Sequence, residues 1–208
     1  MIDFLIYSGY LVLLLNLILF SYSFFRKEKA NVFLVSYLAF AFVMQCSLEL
    51  LYRIEINNLF AVNIFFIGQM ILLGLFYNSL LPIKSQKIFV KSALVIALFL
   101  LAGQFVMDSS QFLKFNLFEI TLTSLLIVSF ALLHFYNMLT ENKKFYYVSF
   151  GTVFYLLGCT VLFLIGNFST GLSDNIKYLT WMLNAFLFLV YHLFILYEWK
   201  VSFYKKVN

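Results

Sequence analysis

The stretch IDFLIYSGYLVLLLNLILFSYSFF, residues 2–25, followed by Arg26-Lys27-Glu28-Lys29, decides how the whole chain is read. A helix of that length, rising 1.5 Å per residue, crosses a hydrocarbon layer of about 30 Å. A secretory leader would need a basic start, a short apolar core and a small-residue cleavage site. This chain begins Met1-Ile2-Asp3, its apolar run has full-span length, and the basic tetrad after it reads as the cytoplasmic stop of a retained first helix.

The same pattern of an apolar run closed by polar residues recurs along the chain. The spans run from Ile2 to Phe25, Ala30 to Arg53, Asn58 to Leu81, Ile88 to Met107, Phe112 to Leu139, Phe145 to Phe168 and Ile176 to Trp199. Composition agrees: 64% of the 208 residues are apolar and 11% charged, whereas a soluble domain carries about a quarter charged residues. The expected fold class is an all-α integral membrane protein, a single bundle of seven transmembrane helices forming one domain over residues 1–208. The only proline, Pro82, follows the third span, where a helix can stop.

Basic residues set the expected orientation. Arg26, Lys27, Lys29, Lys84, Lys87, Lys91, Lys143, Lys144, Lys200, Lys205 and Lys206 fall on one side of the alternating spans, against Arg53, Lys114 and Lys177 on the other. The richer side faces the cytoplasm by the positive-inside rule, so the N-terminus is expected outside and the C-terminus in the cytoplasm, in a plasma (inner) membrane. Trp181 and Trp199 near the two ends of the last span suit interfacial anchors. The lysines fall singly or in pairs between apolar runs and form no basic patch, so the net charge of +5 does not point to nucleic acid.

Charged groups are costly in mid-membrane and normally face the bundle interior. On the second span Gln45, Glu49 and Arg53 recur at i, i+4 and i+8 and share one helical face. On the fifth, Asn116, Glu119 and Thr123 do the same. Counting from the span ends puts Glu49 about 6 Å and Glu119 about 10 Å below the outer boundary. Asn63, Gln104, Thr180 and Asn184 fall in that half on other helices. If these faces converge, they form an outward-opening polar pocket for a small molecule or an ion. The plainer alternative is that Arg53 neutralises Glu49 and the amides tie helices together.

Other chemistry is thinly represented. Cys46 and Cys159 stand inside apolar spans with no C-x-x-C spacing, so neither a disulfide framework nor a zinc site is indicated. His134 and His192 reach a similar depth near the basic side, and matched histidines on two helices could hold a haem axially. That is the one cofactor option; otherwise no cofactor, metal or catalytic set is expected. Gly151, Gly158 and Gly166 line one face of the sixth span, as close helix packing requires.

Seven spans with the N-terminus outside resemble rhodopsins and hormone-type receptors in topology, but the last span has no mid-membrane lysine to carry a retinal. The topology together with Asn63 and Asn184 also resembles the sugar-transporting family of two three-helix repeats and a linker helix, and implies that these asparagines line a substrate pocket. The prolines of that family's helices are missing here. Seven-span hydrolases similar to the ceramidase and adiponectin-receptor group need three histidines, and only two exist. The function expected is a small membrane sensor, receptor or signalling subunit working through a protein partner or a second copy. A small-solute or proton-coupled transporter is the alternative, and a membrane enzyme or haem protein the third.

Overall fold

A computed structural model describes residues 2–28, 30–140, 143–168 and 174–203, without the side chains of residues 167, 168 and 174–177. Lys29, Lys205, Lys206 and the side chain of Lys177, used above for orientation, lie outside this description. The described chain is all-helical: α1 (Ile2–Phe25), α2 (Val32–Arg53), α3 (Leu59–Leu80), α4 (Lys84–Met107), a 3-10 turn (Ser109–Leu113), α5 (Leu117–Asn137), α6 (Tyr146–Phe168) and α7 (Asp174–Ser202). Each of the seven α-helices contains a segment long and apolar enough to span a membrane.

Helix ends follow local chemistry. Asn31 starts α2, its side-chain oxygen accepting from the Phe33 N–H at 2.9 Å, and Asn57 does the same for Leu59 at the start of α3 (3.0 Å). The end of α1 is a Schellman turn with Lys27 in the left-handed region (φ 58°), the Glu28 N–H bonding to the Ser23 carbonyl. α2 ends likewise with Glu55 (φ 58°) and the Ile56 N–H on the Leu51 carbonyl. The first turn of α6 is capped from another helix, because the buried Glu198 carboxylate on α7 accepts from the Tyr147 N–H at 2.8 Å.

Two helix starts differ from the sequence reading by four residues or more, for physical reasons. The fourth helix starts at Lys84, a turn before the apolar run, because an exposed lysine needs no apolar partner. The fifth starts at Leu117 and not Phe112. Asp108 binds the Ser110 N–H and hydroxyl and the Gln111 amide, which folds residues 109–113 into a separate turn. Asn116 then caps α5 by accepting from the Glu119 N–H at 3.2 Å.

The packing order is a closed ring. α1 lies between α7 and α2, α2 packs on α3, α3 on α5, α5 on α6, and α6 on α7. α4 stands outside the ring against α3, α5 and the 3-10 turn. The outer surface is strongly apolar, with Phe4, Phe25, Phe99, Val106 and Met107 all exposed. Inside lie Leu13, Phe20, Leu38, Met70 and Phe76, with polar groups set among them.

The glycines of α6 serve packing. A Cβ at Gly151 would lie 2.8 Å from Cβ of Phe194, one at Gly158 would lie 2.7 Å from Leu187 Cδ1, and Gly166 faces Thr180, so all three turn toward α7. Gly103 on α4 has open space instead. Gly151→Ala is therefore expected to destabilise the bundle by about 1–3 kcal/mol, since the opposing atom is next to the α7 backbone. Gly103→Ala should be neutral or stabilising by up to about 1 kcal/mol. Thermal unfolding of the two variants in one detergent checks both signs.

Candidate functional site

The residues picked out by sequence occupy three separate places, and α2 and α5, which carry the two carboxylates, are not neighbours in the ring. The first place is the groove between α1 and α2. Arg53 Nε donates to Glu49 Oε1 at 2.8 Å, its Nη2 donates to the Tyr7 hydroxyl at 2.8 Å, and that hydroxyl donates back to Glu49 at 3.3 Å. The side chains are 61% (Arg53) and 27% (Glu49) exposed, so this is a surface ion pair completed by a tyrosine that sequence reasoning had not connected to it. Gln45 is half-buried one turn further in.

The second place surrounds the start of α5. Asn63 of α3 is fully buried, and its Nδ2 donates to the backbone carbonyls of Gln111, Phe112 and Lys114 at 3.3, 2.9 and 3.3 Å. It pins the connection between the 3-10 turn and α5. Asn116 exchanges paired amide bonds with Gln104 of α4 at 3.1 and 3.2 Å. Glu119, three residues into α5 and so shallower than its expected depth, is 0% exposed. Neither of its carboxylate oxygens has a hydrogen-bond partner among the described residues, and the same holds for Asn63 Oδ1. Asn116-x-x-Glu119 has the form of a capping box, in which the glutamate would reach back to the cap's own N–H. Only half is made here, because the glutamate side chain turns inward.

The turn leading to α5 is charge-dependent. The Ser110 hydroxyl, and after it the Gln111 amide, hold the Asp108 carboxyl below the usual carboxylate range. These bonds are at full strength above that range and are lost as pH falls through the lowered value.

The third place is between α6 and α7, where Cys159 Sγ donates to Asn184 Oδ1 at 3.0 Å. Asn63 and Asn184 thus stand on different partners.

The chain matches no family model, no curated protein and no solved structure.

Sequence reasoning missed a fourth polar group, inside the ring and toward the end where α4 begins. It contains Tyr37 of α2, Gln69 and Tyr77 of α3, Ser149 and Thr152 of α6, and Tyr191 of α7, all at most 1% exposed. Gln69 Nε2 donates to the Tyr37 hydroxyl at 3.4 Å, and Tyr155 stacks on Tyr191 with ring centroids 4.9 Å apart. Tyrosine counts as apolar in a hydropathy reading, so its hydroxyl does not show there. The one available signal was the recurrence of Gln69 and Tyr77 at a spacing of eight, which places both on one face of α3.

Both histidines are buried. His134 Nε2 meets the Lys144 carbonyl at 2.9 Å and its ring lies 6.1 Å from that of Tyr77. His192 is enclosed by the rings of Phe188 and Tyr191, and its carbonyl accepts from Asn16 Nδ2 at 2.8 Å. Among the described residues no group of three His, Cys, Asp or Glu is placed to hold a metal ion. A cavity of about 570 Å³ opens beside His134, lined also by Asn137, Thr140, Lys143 and Lys144.

The polar groups should differ sharply in energetic weight. Arg53→Ala removes an exposed pair and is expected to cost less than about 1 kcal/mol. Asn63→Leu leaves three backbone carbonyls without their donor and is expected to cost about 1–3 kcal/mol. Denaturation midpoints of the two variants, compared with the parent in the same detergent, test the ranking.

Proposed function

We propose that this chain is a small plasma-membrane sensor or signalling subunit, with its N-terminus outside and its C-terminus in the cytoplasm. Its ligand site is the buried outer end of the helix ring around Glu119. The observation that carries the reading is the Glu119 side chain, 0% exposed with neither oxygen met by a donor among the described residues. An acidic group of this kind in an apolar bundle is a functional candidate by default, because it is expensive unless something complements it. Asn63 Oδ1, also buried and without a partner among the described residues, belongs to the same end of α3 and α5. Two oxygen acceptors in an enclosed setting favour a small cation or a protonated amine.

The basic residues support the orientation: Arg26, Lys27, Lys84, Lys87, Lys91, Lys143, Lys144 and Lys200 gather at one end of the bundle, Arg53 and Lys114 at the other. A signalling role also fits the build of the ring. The spans contain no proline hinge, and amide contacts such as Asn16 to His192 and Asn31 to Ser79 couple neighbouring helices along their length. A ligand that pulls on Glu119 would shift α5 as a body against α3 and α6, and a cytoplasmic partner would read the displacement.

The test uses purified protein in lipid vesicles, with Cys46→Ser, Cys159→Ser and an environment-sensitive fluorophore on Ser202→Cys. Sodium, calcium and methylammonium are titrated from the Glu119 side. The expected result is a saturable fluorescence change with at least one of the three cations, lost in Glu119→Gln, with no cation uptake. Uptake abolished by Glu119→Gln would establish the transporter reading instead. Identical responses of the parent and Glu119→Gln would remove Glu119 from the site.

A further inference from the structure

A second set of buried polar groups lies in the ring, apart from Glu119. Tyr37, Gln69, Tyr77, Ser149, Thr152 and Tyr191 come from four helices and are almost completely buried. The Thr152 hydroxyl donates to the Val148 carbonyl at 2.8 Å, which leaves its oxygen able only to accept. The Tyr77 hydroxyl lies beside Thr152 and Ser149, and the Tyr191 hydroxyl beside Tyr37 and Thr152. Yet neither hydroxyl, nor Ser149 Oγ, nor Gln69 Oε1, has a well-oriented hydrogen bond among the described residues. Packing alone would be better served by phenylalanine, alanine and leucine at these positions, because a buried polar group without a partner is unfavourable.

The cluster contains no charged side chain, so it suits a neutral molecule with several donors and acceptors and not an ion. An approach exists. His134 lines the cavity of about 570 Å³ at the basic end, and its ring lies against Tyr77, whose hydroxyl belongs to the cluster.

We infer that this cluster is a binding site for a small uncharged hydrogen-bonding molecule, admitted from the cavity past His134 and Tyr77. Ordered water is the smallest such occupant, typically making about three hydrogen bonds to groups of this kind, and a neutral polyol is the larger one. The occupant bridges α3, α6 and α7, so its presence fixes their relative positions.

Two measurements on the full-length protein in detergent test the inference. Tyr77→Phe and Tyr191→Phe should each lower the unfolding midpoint, by about 2–4 °C, because each removes a bond to the occupant. In a Cys46→Ser, Cys159→Ser background, Ser149→Cys should react with neutral methyl methanethiosulfonate at least tenfold faster than Ala131→Cys, which is equally buried on α5. Slowing of the Ser149→Cys reaction by molar glycerol identifies a polyol-sized site, and an unchanged rate identifies water as the occupant. Unchanged or raised midpoints in both phenylalanine variants would overturn the inference, as would Ser149→Cys reacting no faster than Ala131→Cys.

Discussion

An apolar surround offers no hydrogen bonds, so polar groups must be satisfied inside the protein or by what it binds. For seven helices long and apolar enough to span a membrane, the rest of the structure depends on that constraint. Helices satisfy their own backbones, and their ends are closed by Asn31, Asn57, Asn116 and the buried Glu198 carboxylate. Polar side chains are then drawn into contact with neighbouring helices. Asn16 reaches the α7 backbone, Asn63 reaches the connection before α5, and Gln86 exchanges amide bonds with Asn137. These contacts stitch adjacent helices together, and closing the ring through α1 and α7 encloses the polar groups that remain.

Among the described residues, two sets of buried polar atoms without hydrogen-bond partners stand apart in the ring, besides Asn16 Oδ1, Asn78 Oδ1 and the ring nitrogens of His192. Glu119 and Asn63 Oδ1 mark the end where α3 and α5 begin, while Tyr77, Tyr191, Ser149 and Gln69 mark the opposite half. The aromatic side chains of Phe65 and Phe66 lie between Asn63 and Gln69 along α3. A signal entering at Glu119 would therefore travel by displacement of packed helices, and the uncharged cluster, bridging α3, α6 and α7, is where such a displacement would be resisted or released.

The span count was legible in the sequence because apolar runs longer than about 20 residues have few alternatives, and the first span matches α1 from Ile2 to Phe25. The i, i+4 pairing of Glu49 with Arg53 was legible for the same local reason. The separation of Glu49 from Glu119 was not, because the order of helices around a ring is set by contacts between distant residues. Sequence gave no sign that α4 would stand outside while α3 packs on α5. The start of α5 was missed because Phe112 and Leu113 extend the apolar run, although Asp108 and Asn116 turn the backbone there. The hydroxyl cluster was hidden by treating tyrosine as apolar: its ring packs as an apolar group, but its hydroxyl has the same needs as that of serine.

The central claim of the proposal is that Glu119 would face an enclosed polar space open to the outer side, while its neighbour Phe118, which is 52% exposed, would face lipid. Cysteine reactivity at these two positions tests it most directly, in intact cells and in the Cys46→Ser, Cys159→Ser background. A small impermeant thiol reagent applied outside should label Glu119→Cys and spare Phe118→Cys, which should react instead with a lipid-soluble maleimide. Equal labelling of both positions by the impermeant reagent, or labelling of Phe118→Cys alone, would contradict the account.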